Sequence, residues 1–336
     1  MKKFILSENG TFHKVNLHCH SSDCSDGKRS LAELKEFYKS KGYSAVAFSD
    51  HNVLVNHTDE LTDENFVALT ATEINVNNTD DDKAAQRTYH LNLIAKKADN
   101  DSIVCFNPKY VSDRFKETQK YVGTPDFERV YSAECVNKII AEANANGFLV
   151  TYNHPRWALQ TWEDYHELRG LFGLEVCNGD CVRYCGRADI NEDIYDWFLR
   201  QGIDICAIAA DDNHNLRPMG HPKFDSGTAW VVVKTDKLDY ESIISALENK
   251  NFYASNGPEI KECYIDEEDY IVVKTSPCEF IRINTQMRAA PTECGEKLGD
   301  AITECRIKVP DGANYVRVTV TDFNGKQAWT NAFYLK

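Results

Sequence analysis

An α/β fold with a small all-β segment at its end is the architecture that this sequence of 336 residues predicts. Three observations predict it. From residue 14 to about residue 234, apolar runs of period two alternate with stretches of helical period, the pattern of repeated βα units. At Asn256-Gly257-Pro258 the alternation stops, because this tripeptide ends both helix and strand. Beyond it the chain reads as short alternating strands.

The elements follow in order. Residues 14–20 (KVNLHCH) place Val15, Leu17 and Cys19 on one face of a strand and Asn16, His18 and His20 on the other. Ser30-Leu31-Ala32-Glu33 reads as a capping box that opens a helix running to Lys41 and stopped by Gly42. Further strands are expected at 44–49, 66–74, 89–95, 148–153, 173–177 and 205–210, with helices at 132–146 and 190–201. A strand at 229–233 and a helix at 240–250 close this part. Past the break, residues 315–321 (YVRVTVT) and the turn Asp322-Phe323-Asn324-Gly325 typify an all-β module, expected to be a small sandwich. Residues 96–130 are the longest stretch without clear periodicity, which predicts a functional or mobile loop. Its aromatics Phe106, Tyr110, Phe115, Tyr121 and Phe127 are expected to pack the loop down rather than to stack on a base.

Composition narrows the function. Lys and Arg number 38 against 52 Asp and Glu, a net charge of 38 − 52 = −14, with no basic cluster standing out. That balance argues against charge-driven binding to long nucleic acid or to anionic membranes. The apolar run Phe4-Ile5-Leu6 is too short for a signal peptide and no segment is long enough to span a bilayer, so a cytoplasmic setting is expected. The twelve cysteines are scattered without a CxxC pair, as reduced thiols. Cys177, Cys181 and Cys185 read as small apolar side chains.

The chemistry lies at the strand ends. His18 and His20 share a face at the end of the first strand, and Asp26-Gly27 follows in a tight turn. Asp50-His51-Asn52 ends the next strand, Glu73 the third; His90 sits in the fourth, His154-Pro155 closes the fifth, and Asp211-Asp212-Asn213-His214 follows the last. In a βα barrel these ends meet on one face, so residues distant in sequence converge. Six of the ten histidines hold such positions, while His13, His57, His166 and His221 do not. Mixed imidazole and carboxylate donors favour Zn, Mn or Fe over Mg or Ca. Asp50 is expected to orient an imidazole or to serve as a turn residue.

In sequence order over residues 14–255, these motifs resemble those of the PHP (polymerase and histidinol phosphatase) family of metal-dependent phosphoesterases. The resemblance implies a distorted (β/α)7 barrel over residues 1–256, followed by the all-β domain at 257–336. It implies two to three divalent ions: one held by His18, His20, Glu73 and Asp212, a second by Glu73, His90 and His154, and a third by Asp26, His51 and His214. Asp26 stands where some members carry histidine, and Asp212 is preferred over Asp211 for its spacing to His214. The function implied is hydrolysis of a small phosphomonoester or nucleotide-like substrate by metal-bound hydroxide, with Glu73, Asp212 and Arg156 in catalytic roles. Arg156 beside His154 is expected to clamp the phosphate, and Asn178, Arg183 and Arg187 to contact substrate. The alternatives are a 5′–3′ exonuclease-type phosphodiesterase and a metal-stabilised binding protein.

Overall fold

The computed structural model describes residues 2–186 and 189–335. Strand β1 (Lys3–Phe4) leads to β2 (Thr11–Cys19), α1 (Leu31–Ser40) and β3 (Tyr43–Phe48). The Ser30 hydroxyl accepts from Glu33 N–H and the Glu33 carboxylate accepts from Ser30 N–H, so the capping box sets the start of α1. Next come α2 (Thr58–Leu61), β4 (Val67–Asn77), β5 (Thr88–Ala95), α3 (Ala133–Ala145) and β6 (Phe148–Tyr152). The series continues through α4 (Trp162–Tyr165), β7 (Gly173–Asn178), α5 (Gly179–Arg183), α6 (Glu192–Arg200) and β8 (Cys206–Ala210). Then follow β9 (Trp230–Thr235), α7 (Tyr240–Glu248) and β10 (Phe252–Ser255).

The main sheet runs β10-β9-β2-β3-β4-β5-β6-β7-β8. It is parallel at β2/β3, β3/β4, β6/β7 and β7/β8, but β5 is antiparallel to both neighbours and β9 is antiparallel to β2. A regular (β/α)7 pattern therefore does not describe the sheet. The reason is connection length: only residues 78–87 join β4 to β5, too few for a helical crossover, so the chain doubles back as a long hairpin. Nor does the ladder close among the described residues. Between β2 and β8 the backbone bonds lie past the end of β8, where Asp212 N–H donates to His18 O at 3.0 Å and His20 N–H to Asn213 O at 3.3 Å.

After β10 the described chain is built of strands: β11 (Ile260–Ile265), β12 (Tyr270–Cys278), β13 (Phe280–Asn284), β14 (Thr292–Cys294), β15 (Ile302–Lys308), β16 (Tyr315–Thr321), β17 (Gln327–Thr330) and β18 (Phe333–Tyr334). A small sheet, β1-β11-β12-β15, packs through Ile260, Ile271, Val273 and Cys305 against the β13 and β16 side chains Ile281, Ile283, Val316 and Val318. This sheet-rich region is continuous with the main sheet, because β10 pairs with β9 on one side and β17 on the other. Trp329 and Tyr315 enter the main core, while Ile5, Leu6, Val232 and Tyr253 enter that of the C-terminal region. The fully buried Arg317 guanidinium reaches across to Glu192 (2.9 Å) and Asp196 (2.6 Å) on α6.

The 96–130 segment is anchored on both sides. Gln119 exchanges hydrogen bonds with the backbone of Leu54, and Phe106, Phe115 and Phe127 pack against the main core. Tyr121 is partly exposed and stacks on Phe106.

Candidate metal centre

The ends of β2, β4 and β5 and the loops after β3, β6 and β8 converge on one carboxylate, Glu73, whose side chain is 1% exposed. Its Oε1 lies 3.2 Å from His18 Nε2, 3.0 Å from His90 Nδ1 and 3.4 Å from His154 Nε2. Its Oε2 lies 3.0 Å from His51 Nδ1 without the alignment of a hydrogen bond. Asp212 Oδ1 lies 3.1 Å from His18 Nε2 and 3.0 Å from His20 Nε2, and those two ring nitrogens face each other at 3.1 Å. Among the described residues, three of the sets of donor atoms that gather in this way are made of His, Asp and Glu alone: His18, His20, Glu73 and Asp212; Glu73, His90 and His154; and His20, Asp26, His51 and His214.

Local structure aims each group. Asp26 turns in over the end of β2 because Gly27 presses on it: a Cβ there would lie 2.5 Å from His20 O. His154 (φ +30°) and Asp212 (φ +53°) both hold left-handed backbone, a strain that clusters at functional sites and persists only where neighbours impose it. For His154 the restraint is its N–H bond to Glu175 Oε2 at 3.1 Å; for Asp212 it is the bond to His18 O. Asp211 does different work. Its carboxylate accepts from the N–H groups of Gly227, Thr228 and Ala229 and from Tyr38 Oη, anchoring a loop, while Asp212 points at the imidazoles.

The donor set suits a cation. Ligand atoms held about 2.1 Å from one ion lie about 3.0–3.4 Å from each other, the separations seen here. His20 Nδ1 and His154 Nδ1 are buried without a hydrogen-bond partner, as is Glu73 Oε2. Burial, with His51 and His214 close by, pushes His20 down to about 3 and leaves a neutral imidazole with a free lone pair. Burial also opposes charge on His18, but Asp212, Glu73 and Glu175 outweigh it and hold that group well above the ordinary histidine value. Glu73 likewise stays well below the usual carboxylate range: burial works against its charge, and the surrounding imidazoles, His90 and His18 first, overcome it.

The PHP domain profile matches residues 16–201, more than half of the chain. The chain belongs to the PHP family. A curated relative, DNA polymerase III subunit alpha of Campylobacter jejuni, is 25% identical over 208 residues, covering 59% of this chain and 16% of the subunit. The PHP chain thus spans well under a quarter of that relative's length. A solved structure from Bacteroides vulgatus, of a two-domain protein containing a predicted PHP-like metal-dependent phosphoesterase, aligns over 98% of both chains at 15% identity and a TM-score of 0.47.

The other residues singled out in the PHP sequence fall as follows. Arg156 is 42% exposed and paired with Asp193 at 2.6 Å. Asn178 is buried, and its amide donates to Glu175 Oε2 and to Asp212 Oδ2, both at 3.0 Å. Arg183 lies exposed at the end of α5, reaching Pro222 O, and Arg187 lies outside the described residues. Asp50 accepts from Ser21 N–H and Oγ–H, fixing the backbone just past His20 rather than an imidazole. His13, His57, His166 and His221 lie apart from the three sets. Cys177 and Cys181 are buried, but Cys185 is exposed, and Cys181 Sγ lies within 4.8 Å of donor atoms of both Asp180 and Asp212.

Sequence reasoning passed over three residues. Glu175 is an acidic residue inside an apolar strand, and that misfit was the available signal. Asn153, just before His154, donates to Glu73 Oε1 at 2.9 Å. Arg129 carried no signal, since it ends the aperiodic loop. Its Nη1 donates to Asn52 Oδ1 (2.5 Å) and Asn75 O (2.9 Å), it stacks on Tyr110, and it has no carboxylate partner among the described residues.

Proposed function

We propose that this chain is a metal-dependent phosphoesterase that hydrolyses a small phosphomonoester, nucleotide-like in size. The observation that carries the reading is the buried Glu73 carboxylate, set among His18, His51, His90 and His154. In this reading His18, His20, Glu73 and Asp212 hold one ion, Glu73, His90 and His154 a second, and Asp26, His51 and His214 a third; Zn, Mn or Fe suits such donors. When bound, the ions polarise phosphoryl oxygens and lower the pKa of a coordinated water toward neutrality.

The chain's own groups set the stage for that chemistry. Glu175 fixes the His18 ring, and the amides of Asn153 and Asn178 fix the carboxylates of Glu73 and Asp212. Asn178 thereby acts on substrate through Asp212, its amide hydrogens being engaged. Arg156 takes a phosphate oxygen once it leaves Asp193. Strands β2 to β8 serve as the family's distorted barrel of seven strands, with its seam where Cys19 meets Asn213. The net charge of −14 favours a small substrate over a long strand. Unpaired cysteines fit a reducing, cytoplasmic setting, and no described helix is long and apolar enough to cross a membrane.

Elemental analysis of the purified protein, followed by phosphate release from a chromogenic ester and from a panel of small phosphates, tests the reading. Metal-dependent release that stops on chelation supports it. A metal-loaded protein that releases no phosphate, or that prefers an oligonucleotide to a mononucleotide, overturns it.

A further inference from the structure

Trp157 is a large apolar side chain left 37% exposed beside the metal centre. Its indole meets the His154 ring nearly at right angles, with centroids 4.9 Å apart, and lies 5.8 Å from the His90 ring. Among the described residues no other ring and no cation packs on it, and Cys185 contacts its indole. The segment that carries it is pre-set. Ala158 N–H donates to His154 O, Leu159 N–H to Arg156 O and Gln160 N–H to Pro155 O, and Pro155 fixes its own φ.

An exposed indole wedged against two imidazoles is costly to leave wet, and its π-face is a general platform for flat rings. The loop aromatics do not compete for the role, since Phe106, Phe115 and Phe127 pack on the core and Tyr121 stacks on Phe106. Trp162, although more exposed at 49%, already stacks on His166 with centroids 3.9 Å apart.

We propose that Trp157 is the platform on which a flat ring in the substrate's organic part stacks, so that the centre selects a phosphomonoester carrying such a ring, for instance a nucleoside monophosphate, over an aliphatic one. The proposal rests on the phosphoesterase reading and names its substrate class. A rigid, preformed stacking surface gives up little conformational freedom on binding, which is what makes it an efficient anchor.

The test uses the full chain loaded with metal, as wild type, Trp157→Ala, Trp157→Phe and the control Trp162→Ala. For each, kcat/KM is measured on a nucleoside 5′-monophosphate and on glycerol phosphate. The ratio of the two is expected to fall about 5- to 150-fold in Trp157→Ala, to recover in part in Trp157→Phe, and to hold in Trp162→Ala. An equal loss on both esters overturns the stacking role. Calorimetric titration of the same monophosphate into chelator-treated protein gives a readout free of turnover, in which Trp157→Ala is expected to bind more weakly than wild type. If no ester is hydrolysed, the phosphoesterase reading fails, and the titration still decides: equal affinity in wild type and Trp157→Ala rejects the platform.

Discussion

Glu175 Oε1 lies 2.7 Å from His18 Nδ1, and both side chains are shut away from solvent. The pair joins the middle of β7 to the end of β2 and turns His18 Nε2 toward Glu73 and Asp212. Carboxylates placed behind a ligating imidazole fix its tautomer and orientation, and their loss typically costs about 10- to 100-fold in metal affinity. Glu175→Gln is therefore expected to weaken metal binding on that scale while the fold persists, read by competition with a coloured chelator. Wild-type affinity in the variant would show that the pair is only structural.

Glu73 belongs to two of the three donor sets, whereas His51 belongs to one. Glu73→Ala should lose metal at two positions and His51→Ala mainly at the third. Metal counting on the purified variants checks this, and full occupancy in Glu73→Ala would sink the assignment.

Arg156 and Asp193 are bound to each other at 2.6 Å on the surface. If Arg156 exchanges this partner for a phosphate, the charge-assisted bond contributes about 1.5–3 kcal/mol, and Arg156→Ala lowers kcat/KM about 10- to 150-fold. Asp193→Asn, which frees the guanidinium, should raise it. Unchanged kinetics in both variants would leave Arg156 as half of a surface pair.

Arg317 joins the C-terminal region to α6 through Glu192 and Asp196, with no exposure of its own. Removing one partner of a buried ion pair strands the others and costs about 3–5 kcal/mol, so Arg317→Leu is expected to lower stability to chemical denaturation by that order. A chain ended at Ser255 loses more, because β10 gives up its β17 ladder and the main core gives up Tyr315 and Trp329. It should express as insoluble protein. A soluble, metal-binding truncation would show instead that the two parts are separable.

The sequence by itself determined the alternation of strands and helices, the cap of α1, the strand-rich end and the family. These are local or ordered signals: a period of two, a capping box, and motifs met in succession along one chain. The spacing of Asp212 to His214 even separated it from Asp211, whose carboxylate the fold spends on a loop. What only the tertiary structure decided was contact across distance. That β5 runs antiparallel to both neighbours followed from the short 78–87 connection, and that the sheet crosses residue 256 followed from pairing of β10 with β17. Glu175, Asn153 and Trp157 became part of the centre only once folding set them against His18, Glu73 and His154. Periodicity records which face of its own element a side chain occupies, but the atoms it meets belong to strands far away in sequence.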